Sequence, residues 1–485
     1  MITVQASDFL RILPQIILSL FAIMVMVFEP FLPSARRNLL GWFSLFGVAA
    51  AGSAAVRTSY SPGLAFGGSV VADRFSLYFI FLFLFVAALC LLGSMDYLKR
   101  DNIQHGEFFA LILMATLGMC FMAASTELMM IFLGLEISSI STYILAGFKR
   151  QDALSNESSL KYFLLGSFAT AFFLYGIAFV YGLTGTTNLL GIAERLRLSP
   201  AAGGGPALLW VALILMFVGL AFKVSTVPFH VWTPDVYQGA PAPVTAFLSV
   251  GPKAAAFAIM LRIFLGPFAG AGPVTFWLFW ISAALTMIVG NLAALLQTNV
   301  KRLLAYSSIA HAGYVLVGIT AGGAEGISSV MFYLAVYALM NVGAFLLIAH
   351  LAGTGERATS IEDFKGLGFE RRGAAACLTV LMLSLGGFPP TAGFFGKFYI
   401  FRAAVHSDLI GLTVIAVITS VISVYYYLRL VVVMYMQEGK PEASTAPLPW
   451  PLKIALATSV VGIFFLGLFP GEFLILTRLA ATVLP

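Results

Sequence analysis

Four charged residues lie in the middle of long apolar runs, namely Glu136, Lys223, Lys253 and Lys397. An ionised side chain at bilayer depth costs several kcal/mol, so such a residue usually marks a proton or ion path. A lysine removed from water can have its pKa lowered from about 10.4 by up to about 3–5 units, which brings proton exchange close to neutral pH. These residues therefore predict proton transfer within a membrane.

Glu136 is the expected partner of Lys223, because a lone charge at this depth would be neutralised or expelled. Glu136, Ser139 and Tyr143 are spaced at i, i+3 and i+7, so they share one polar face of a helix. A change in the distance between the two charges would switch the lysine between holding and releasing a proton. A purely structural salt bridge between two helices is the alternative for this pair.

Two further lysines stand close to helix-breaking residues. Pro252 precedes Lys253 and frees a carbonyl one turn earlier, which we expect to accept from the ammonium or from water. Lys397 follows the sequence Gly-Gly-Phe-Pro-Pro at 386–390 by about two turns, so it should face an unwound stretch. Neither lysine is near a helix end, where it could snorkel to the surface.

Polar side chains also recur on two neighbouring runs: Ser307, His311 and Tyr314 on one, and Tyr333, Tyr337 and Asn341 on the next. Each spacing places its three residues on one helical face. Such faces can hold a water wire between titrating groups, or they can simply hydrogen-bond helices together. Both roles stay open for His311, and the ordinary pKa of histidine near neutrality favours a relay.

Three other residues receive structural predictions. His230 and Asp235 flank the break in the seventh run, where capping or loop anchoring is the expected role. Lys161 begins the sixth run and should snorkel to the surface, with gating of proton uptake as the alternative.

The composition defines the elements that hold these residues. Of 485 residues, 60% are hydrophobic and 10% are charged, against about 25% charged in soluble domains. Runs long enough to cross about 30 Å of hydrocarbon recur roughly fourteen times, the first being expected to stay as a retained span. The sequence therefore predicts an all-α polytopic membrane protein with about 14 transmembrane helices.

The loops indicate an orientation. The net charge of +6 does not point to nucleic acid, because the basic residues stand in short loops between the spans. Odd-numbered loops hold 15 Lys or Arg residues and even-numbered loops hold 6, a bias that predicts cytoplasmic odd loops and outward-facing termini.

Two helices, the seventh and the twelfth, carry internal breaks at Pro228 and at 386–390. The two broken helices are five helices apart. Because five is an odd number, two successive five-helix units enter the membrane from opposite sides. Matched breaks of this kind are typical of inverted-repeat transporters. We expect N-terminal helices 1–3 at 1–105, a first repeat at 106–265, a second repeat at 266–437 and helix 14 at 438–485. Two unrelated proline kinks are the alternative.

The sequence predicts no metal site and no cofactor in this chain. Cys90, Cys120 and Cys377 fall inside apolar runs without a Cys/His cluster, and no nucleotide, haem or iron–sulfur spacing occurs. Any redox centre should therefore reside in another subunit.

The stretch KVSTVPFHVWTPDVYQGAPAPVTAFLSVGPKAAAF at 223–257 resembles the subunit N family of bacterial NADH-quinone oxidoreductase, or complex I. Supporting runs are LGLEISSISTYIL at 133–145, VKRLLAYSSIAHAGYVLVG at 300–318 and PPTAGFFGKFY at 389–399. The related subunits L and M and the multisubunit sodium/proton antiporters usually read Leu-Pro-Asp-Ala-His where this chain has the segment 233–237. The resemblance to subunit N is therefore the closer one.

This resemblance implies an antiporter-like membrane-arm subunit that moves protons while quinone is reduced elsewhere. It implies a proton axis formed by Glu136, Lys223, Lys253, His311 and Lys397. It also implies that NADH, FMN, iron–sulfur clusters and quinone are handled by partner subunits, with antiporter-like subunit M and small subunits as neighbours in the bacterial inner membrane. Gln238 and Ala242 replace an acid and a hydroxyl residue common in relatives, so no essential role is expected for those two side chains.

Two other functions fit part of the pattern. An Mrp-like cation/proton antiporter would use broken helices and buried lysines equally well. A non-pumping scaffold would lose assembly, rather than pumping alone, when its lysines are replaced.

Overall fold

The computed structural model describes residues 5–33, 36–198, 205–270 and 272–481. The expected outward-facing termini at 1–4 and 482–485 lie outside these ranges. The helices are α1 (Ala6–Arg11), α2 (Leu13–Phe28), α3 (Asn38–Ser59), α4 (Arg74–Arg100), α5 (Gly106–Ala124), α6 (Leu128–Ala146), α7 (Ala153–Thr184), α8 (Leu189–Leu198), α9 (Gly205–Val224), α10 (Trp232–Gly239), α11 (Ala242–Phe264), α12 (Pro273–Leu295), α13 (Val300–Ala321), α14 (Gly323–Leu351), α15 (Leu367–Glu370), α16 (Arg372–Gly386), α17 (Ala392–His406), α18 (Ile410–Met436), α19 (Trp450–Leu468) and α20 (Pro470–Ala480).

Within the described ranges, 13 helices are long and apolar enough to cross a membrane, and α16 is a shorter apolar helix. Helices α16 and α17 together form the broken twelfth span, which gives the predicted total of fourteen. Helices α11 and α14 form the centre, since every residue of their most apolar windows is buried. The predicted polytopic helical class is confirmed, and the only strands in the described residues are the three-residue β1 (Gly63–Ala65) and β2 (Val70–Ala72).

Both predicted helix breaks are present. Helix α9 ends at Val224, and α10 begins only at Trp232, with Ser225 at φ 64° between them. The carbonyl of Phe222, beside the break, accepts a hydrogen bond from the Trp232 indole at 3.0 Å and another from the Ser225 amide at 3.1 Å. Helix α16 ends at Gly386, and Gly387 takes φ 88° before α17 begins. Proline and glycine therefore interrupt the helices where their missing donor and backbone freedom predict.

The loops separate into two faces. Odd-numbered loops touch one another, as when Arg37 donates to the carbonyl of Gln104 at 2.9 Å and Lys149 pairs with Asp101 at 2.7 Å. We call this side the odd-loop face. Even-numbered loops meet on the other side, where Arg262 pairs with Asp73 at 3.1 Å. This alternation of loops between two faces matches the predicted number of membrane crossings.

The first two helices of each predicted repeat cross at small residues. A Cβ added to Gly118 of α5 would lie 2.5 Å from the carbonyl oxygen of Gly134 in α6. A Cβ added to Gly290 of α12 would lie 2.7 Å from the backbone nitrogen of Ala310 in α13. Small residues let membrane helices approach closely, and the two crossings fit an inverted repeat. The exact boundaries at 105, 265 and 437 stay a prediction.

One span differs from its expected extent. We expected a single helix 14 within 438–485, but α19 ends at Leu468 and a separate helix, α20, begins at Pro470. Proline has no backbone donor to continue the preceding helix, although it is well tolerated in a first turn. The two helices contain none of the predicted site residues, which are Glu136, Lys223, Lys253, His311 and Lys397.

Candidate functional site

Lys223 occupies the last turn of α9, immediately before the first break. It is 4% exposed, and its ammonium donates to the Tyr143 hydroxyl of α6 at 3.2 Å. The rings of Tyr143 and Tyr162 lie 4.8 and 5.2 Å from the Nζ atom. A hydroxyl and two aromatic faces therefore surround this cation, and each can stabilise it without carrying a formal charge.

Glu136 does not form the expected direct ion pair with Lys223. Among the described residues no contact of 4.0 Å or less joins them, and Glu136 Oε1 is buried without a protein hydrogen-bond partner. Tyr143, two turns further along α6, supplies the contact instead. The helical spacing correctly placed Glu136 and Tyr143 on one face, but it could not tell which of them reaches the lysine.

Lys253 lies in the middle of α11, directly after Pro252. Its ammonium donates to the Ser308 hydroxyl of α13 at 2.5 Å. The ammonium does not use the Leu248 carbonyl that the proline frees, because that carbonyl accepts from the hydroxyl of Tyr237 at 3.5 Å, and a water on it stays a prediction. The Tyr237 ring lies 5.4 Å from the lysine nitrogen, so Lys253 too has neutral neighbours.

His311 joins three helices. Its Nδ1 atom lies 2.6 Å from the Tyr333 hydroxyl of α14, and its Nε2 atom lies 3.0 Å from the Tyr427 hydroxyl of α18. The Tyr427 hydroxyl also hydrogen-bonds Ser307. The predicted polar faces of α13 and α14 therefore meet, whereas Tyr427 was missed, and only the run of three tyrosines at 425–427 could have indicated it.

Lys397 contacts the second break, as predicted. Its ammonium donates to the Gly386 carbonyl at 2.9 Å and to the Ser420 hydroxyl of α18 at 3.0 Å. Gly386 is the last residue of α16, where a helix leaves carbonyls without an internal partner. The ring of Tyr314 lies 5.2 Å from the same nitrogen. Ser420 is a second partner that the sequence did not identify.

An aromatic stack lies between Lys223 and Lys253. The Trp232 ring stacks on Tyr162 at 4.5 Å and on Phe222 at 5.1 Å, and its edge meets Tyr237 at 6.1 Å. The hydrogen bonds that connect Ser307, His311 and Tyr427 in the second repeat do not extend through this stack. The stack therefore borders both lysines, with Tyr162 beside Lys223 and Tyr237 beside Lys253.

The short helix α10 is held by charges from both repeats. Asp235 accepts from Lys161 of α7 and from Arg302 of α13, each at 2.7 Å. The predicted anchoring role of Asp235 is therefore confirmed. Lys161 reaches the surface, as predicted, with its side chain 41% exposed, and it pairs there with both Asp235 and Glu157.

A buried ionic cluster lies below the odd-loop face. Glu356 accepts from Lys301 at 2.6 Å and from the Ala242 amide at 2.7 Å, and its carboxylate also accepts from the Tyr97 hydroxyl. Lys149 stands 3.8 Å away. Burial alone would raise the pKa of Glu356, but Lys301 and Lys149 lower it to about 2. This carboxylate therefore stays ionised at neutral pH.

A cavity of about 760 Å³ opens beside this cluster. Asp101, Lys149 and Asp152 line it, with Arg357 from the loop after α14. The described residues contain no group of three or more His, Cys, Asp or Glu side chains suited to a metal ion, and the three cysteines are free.

A helical membrane bundle with two broken spans and a buried set of lysines defines a protein of the ion-translocating class. The family model for the NADH:quinone oxidoreductase/Mrp antiporter transmembrane proteins matches residues 125–423. NADH-quinone oxidoreductase subunit N 1 of Solibacter usitatus is 50% identical over 466 residues, which cover 96% of this chain and 95% of that protein.

Two solved structures extend the comparison. A chain of respiratory complex I from Thermus thermophilus is 36% identical, with a TM-score of 0.80 and coverage of 96% of this chain and 99% of that one. A chain of the Mrp complex from a Dietzia species reaches a TM-score of 0.84 at 21% identity, covering 98% and 97%, so this likeness concerns the fold alone. The chain belongs to the subunit N family of NADH-quinone oxidoreductases, within the wider NADH:quinone oxidoreductase/Mrp antiporter family.

Proposed function

We propose that this chain is a proton-translocating subunit in the membrane arm of a bacterial NADH:quinone oxidoreductase. Protons move along Glu136, Lys223, Lys253, His311 and Lys397 while quinone is reduced in other subunits. The kinship with subunit N relatives supports the assembly, and the arrangement of the buried lysines supports the transport role.

One observation carries the proposal: the three central lysines are held by neutral groups. Lys223, Lys253 and Lys397 donate to hydroxyl groups or to a backbone carbonyl. A buried lysine in an ion pair would leave an uncompensated carboxylate if it lost its proton, and this is strongly unfavourable. A lysine with neutral partners leaves no such charge behind, so both of its protonation states are accessible.

The peripheral lysines provide the contrast. Lys149, Lys161 and Lys301 each contact a carboxylate at 2.7 Å or less. Their ion pairs fix loops and helix ends, and each of them includes a formal negative charge beside the lysine. The alternative of a structural salt bridge fits these residues and does not fit the central three.

Glu136 has a modulating role in this proposal. Its buried Oε1 lacks a protein partner, and its carboxylate shares one face of α6 with Tyr143. An anion on this face stabilises the protonated form of a nearby lysine through space. A change in the distance between Glu136 and Lys223 would therefore alter how firmly Lys223 holds its proton.

The test is proton pumping by the assembled complex in sealed vesicles. Lys223→Ala should lower both the proton gradient and the coupled NADH:quinone turnover about tenfold or more, because one of the proposed proton carriers is lost. Lys440→Ala, at an exposed loop position, is the matched control and should behave as wild type. Assembly is followed on native gels. Unchanged pumping by assembled Lys223→Ala complex would refute the proposal.

The same proposal assigns the cofactors, the neighbouring subunits and the location of the chain. NADH, FMN, iron–sulfur clusters and quinone are bound by partner subunits, and an antiporter-like subunit M and small subunits are the membrane neighbours. The multi-pass chain lies in the bacterial inner membrane with its odd loops in the cytoplasm and both termini outside. An Mrp-like antiporter function has in its favour only the wider family that includes both kinds of protein and the shared fold.

A further inference from the structure

Asn341 is a buried amide whose role is not explained by the fold. It lies inside α14, it is 0% exposed, and neither its Oδ1 nor its Nδ2 atom has a protein hydrogen-bond partner. Buried side-chain amides are almost always hydrogen-bonded, and the exceptions usually contact an ordered water or ion. The two donors and one acceptor of Asn341 thus need a ligand.

The neighbours of Asn341 along α14 show which way its face points. Tyr337, one turn earlier, packs its ring 5.1 Å from His311, and Phe345, one turn later, packs its ring 6.0 Å from Tyr237. Residues four apart share a helical face. Asn341 therefore faces the space between His311 and Tyr237, which lies among the proposed proton-carrying residues.

The opposite face of α14 is packed against α19. A Cβ added to Gly343 would lie 3.0 Å from Ser459, and one added to Gly462 would lie 2.9 Å from Leu339. Ser459 is also buried and its hydroxyl also lacks a protein partner. It provides a second polar side chain of the same kind that lies away from the central residues.

The residues of α13 and α14 show what lies on each side of Asn341 along the helices. Ser308 and His311 lie toward the middle of α13, whereas Lys301 lies in its first turn and donates to the Ala240 carbonyl at 2.7 Å, three residues after Tyr237. Helix α14 runs toward the loop that carries Glu356. Asn341 follows Tyr337 by one turn of α14. It is therefore displaced from the level of His311 toward the ionic cluster below the odd-loop face.

We infer that Asn341 binds water that links the central residues to the Lys301–Glu356 cluster and the cavity beside it, and that protons reach Lys253 from the odd-loop face through this branch. The inference rests on the proposed function. Glu356 stays ionised and holds Lys301 in place, so water carries the proton. Asn341 acts as a positioning residue, because it orients water and does not itself exchange protons.

The experiment compares Asn341→Leu with Ser459→Ala in assembled complex in vesicles. Leucine fills a similar volume without donors or acceptors, so pumping and coupled turnover should fall about fivefold or more, while KM for NADH and quinone stays unchanged. Asn341→Ser keeps a group that can bind water and should restore part of the rate. Ser459→Ala should match wild type. The ratio of rates in H₂O and D₂O should rise in Asn341→Ser, which a merely structural role would not cause.

Lys253→Ala is measured in parallel. If Lys253→Ala abolishes pumping while assembled Asn341→Leu pumps normally, the branch is wrong and the proposed function stands. If neither variant affects pumping, the proposed function itself fails. Should Asn341→Leu not assemble, a high-resolution map of the wild-type complex decides, since ordered water on the Asn341 amide supports the branch and an amide contacted only by apolar atoms overturns it.

Discussion

At the scale of single residues, the feature that separates the lysines is the charge of their partners. Lys253 illustrates it best, since a serine hydroxyl is its closest hydrogen-bond acceptor. A hydrogen bond from a charged group is worth about 1.5–3 kcal/mol. Ser308 therefore contributes to how readily Lys253 becomes or stays protonated, and its hydroxyl should matter for transport although it is not itself a carrier.

Replacing Ser308 with Ala tests this contribution. The loss of a charge-assisted hydrogen bond shifts the protonation equilibrium of Lys253, so we expect coupled turnover to fall roughly tenfold, as about 1.4 kcal/mol implies. The measurement is quinone-dependent NADH oxidation in sealed vesicles. Ser329→Ala is the control, because Ser329 is buried in α14 but donates only to its own helix, at 2.7 Å to Gly326. Equal rates for both variants would contradict the role given to Ser308.

The sequence indicated the central residues but not their partners. Lys223, Lys253, Lys397 and His311 stand out because charge or imidazole is rare in apolar runs, and helical spacing identifies the face each one occupies. Contacts between helices depend on how two helices are placed along each other, and spacing within one helix does not contain that information. This is why Tyr143 contacts Lys223 where Glu136 was expected.

At the scale of elements, the helix breaks are accompanied by anchors, which are the buried or partly buried carboxylates that hold neighbouring helices in place. The breaks themselves were predictable, because proline and glycine act locally on the backbone. The anchoring role of Asp235 was also predicted, but its partners and the Glu356 anchor were not. Asp235 holds α10 against α7 and α13, and Glu356 holds the start of α11 against α13, through contacts between residues 55 to 114 positions apart. The first break is thus followed by two helices, α10 and α11, that ion pairs and hydrogen bonds hold in place.

Glu356→Gln tests the anchor at α11. Breaking a buried ion pair by removing one charge costs about 3–5 kcal/mol, so we expect a clear loss of thermal stability and of assembly. Glu362→Gln, at an exposed position in the same loop, should have little effect. Unfolding in detergent, followed by circular dichroism, measures both variants against wild type.

The pH dependence of this loss has a definite sign. The pKa of Glu356 is lowered from 4.5 to about 2, so its stabilising effect is fully present above pH 4.5 and is lost as the pH falls toward 2. The stability difference between wild type and Glu356→Gln should therefore be equal at pH 6 and pH 8 and smaller at pH 4 and below. A difference that changes between pH 6 and pH 8 would mean that another group responds there.

At the scale of the whole molecule, the alternation of loops gives the chain two distinct faces. The odd-loop face contains the cavity, the Glu356 cluster and most of the basic loop residues, whereas Asp73 and Arg262 join the loops of the other face. The division of loops between faces was predictable from the count of spans alone. Which face meets the cytoplasm follows from the excess of Lys and Arg in odd loops, and this assignment stays a prediction.

Cysteine labelling of one position on each face tests the orientation. Lys440→Cys lies in an odd loop and Glu194→Cys in an even one, and both side chains are exposed in this chain. Cys90 and Cys120 are buried and should not react, and Cys377 is replaced by Ala because it is only partly buried. A membrane-impermeant maleimide should label Glu194→Cys in intact cells and Lys440→Cys only in inverted vesicles. The reverse pattern would place the odd-loop face outside, and the Asn341 branch would then release protons instead of admitting them.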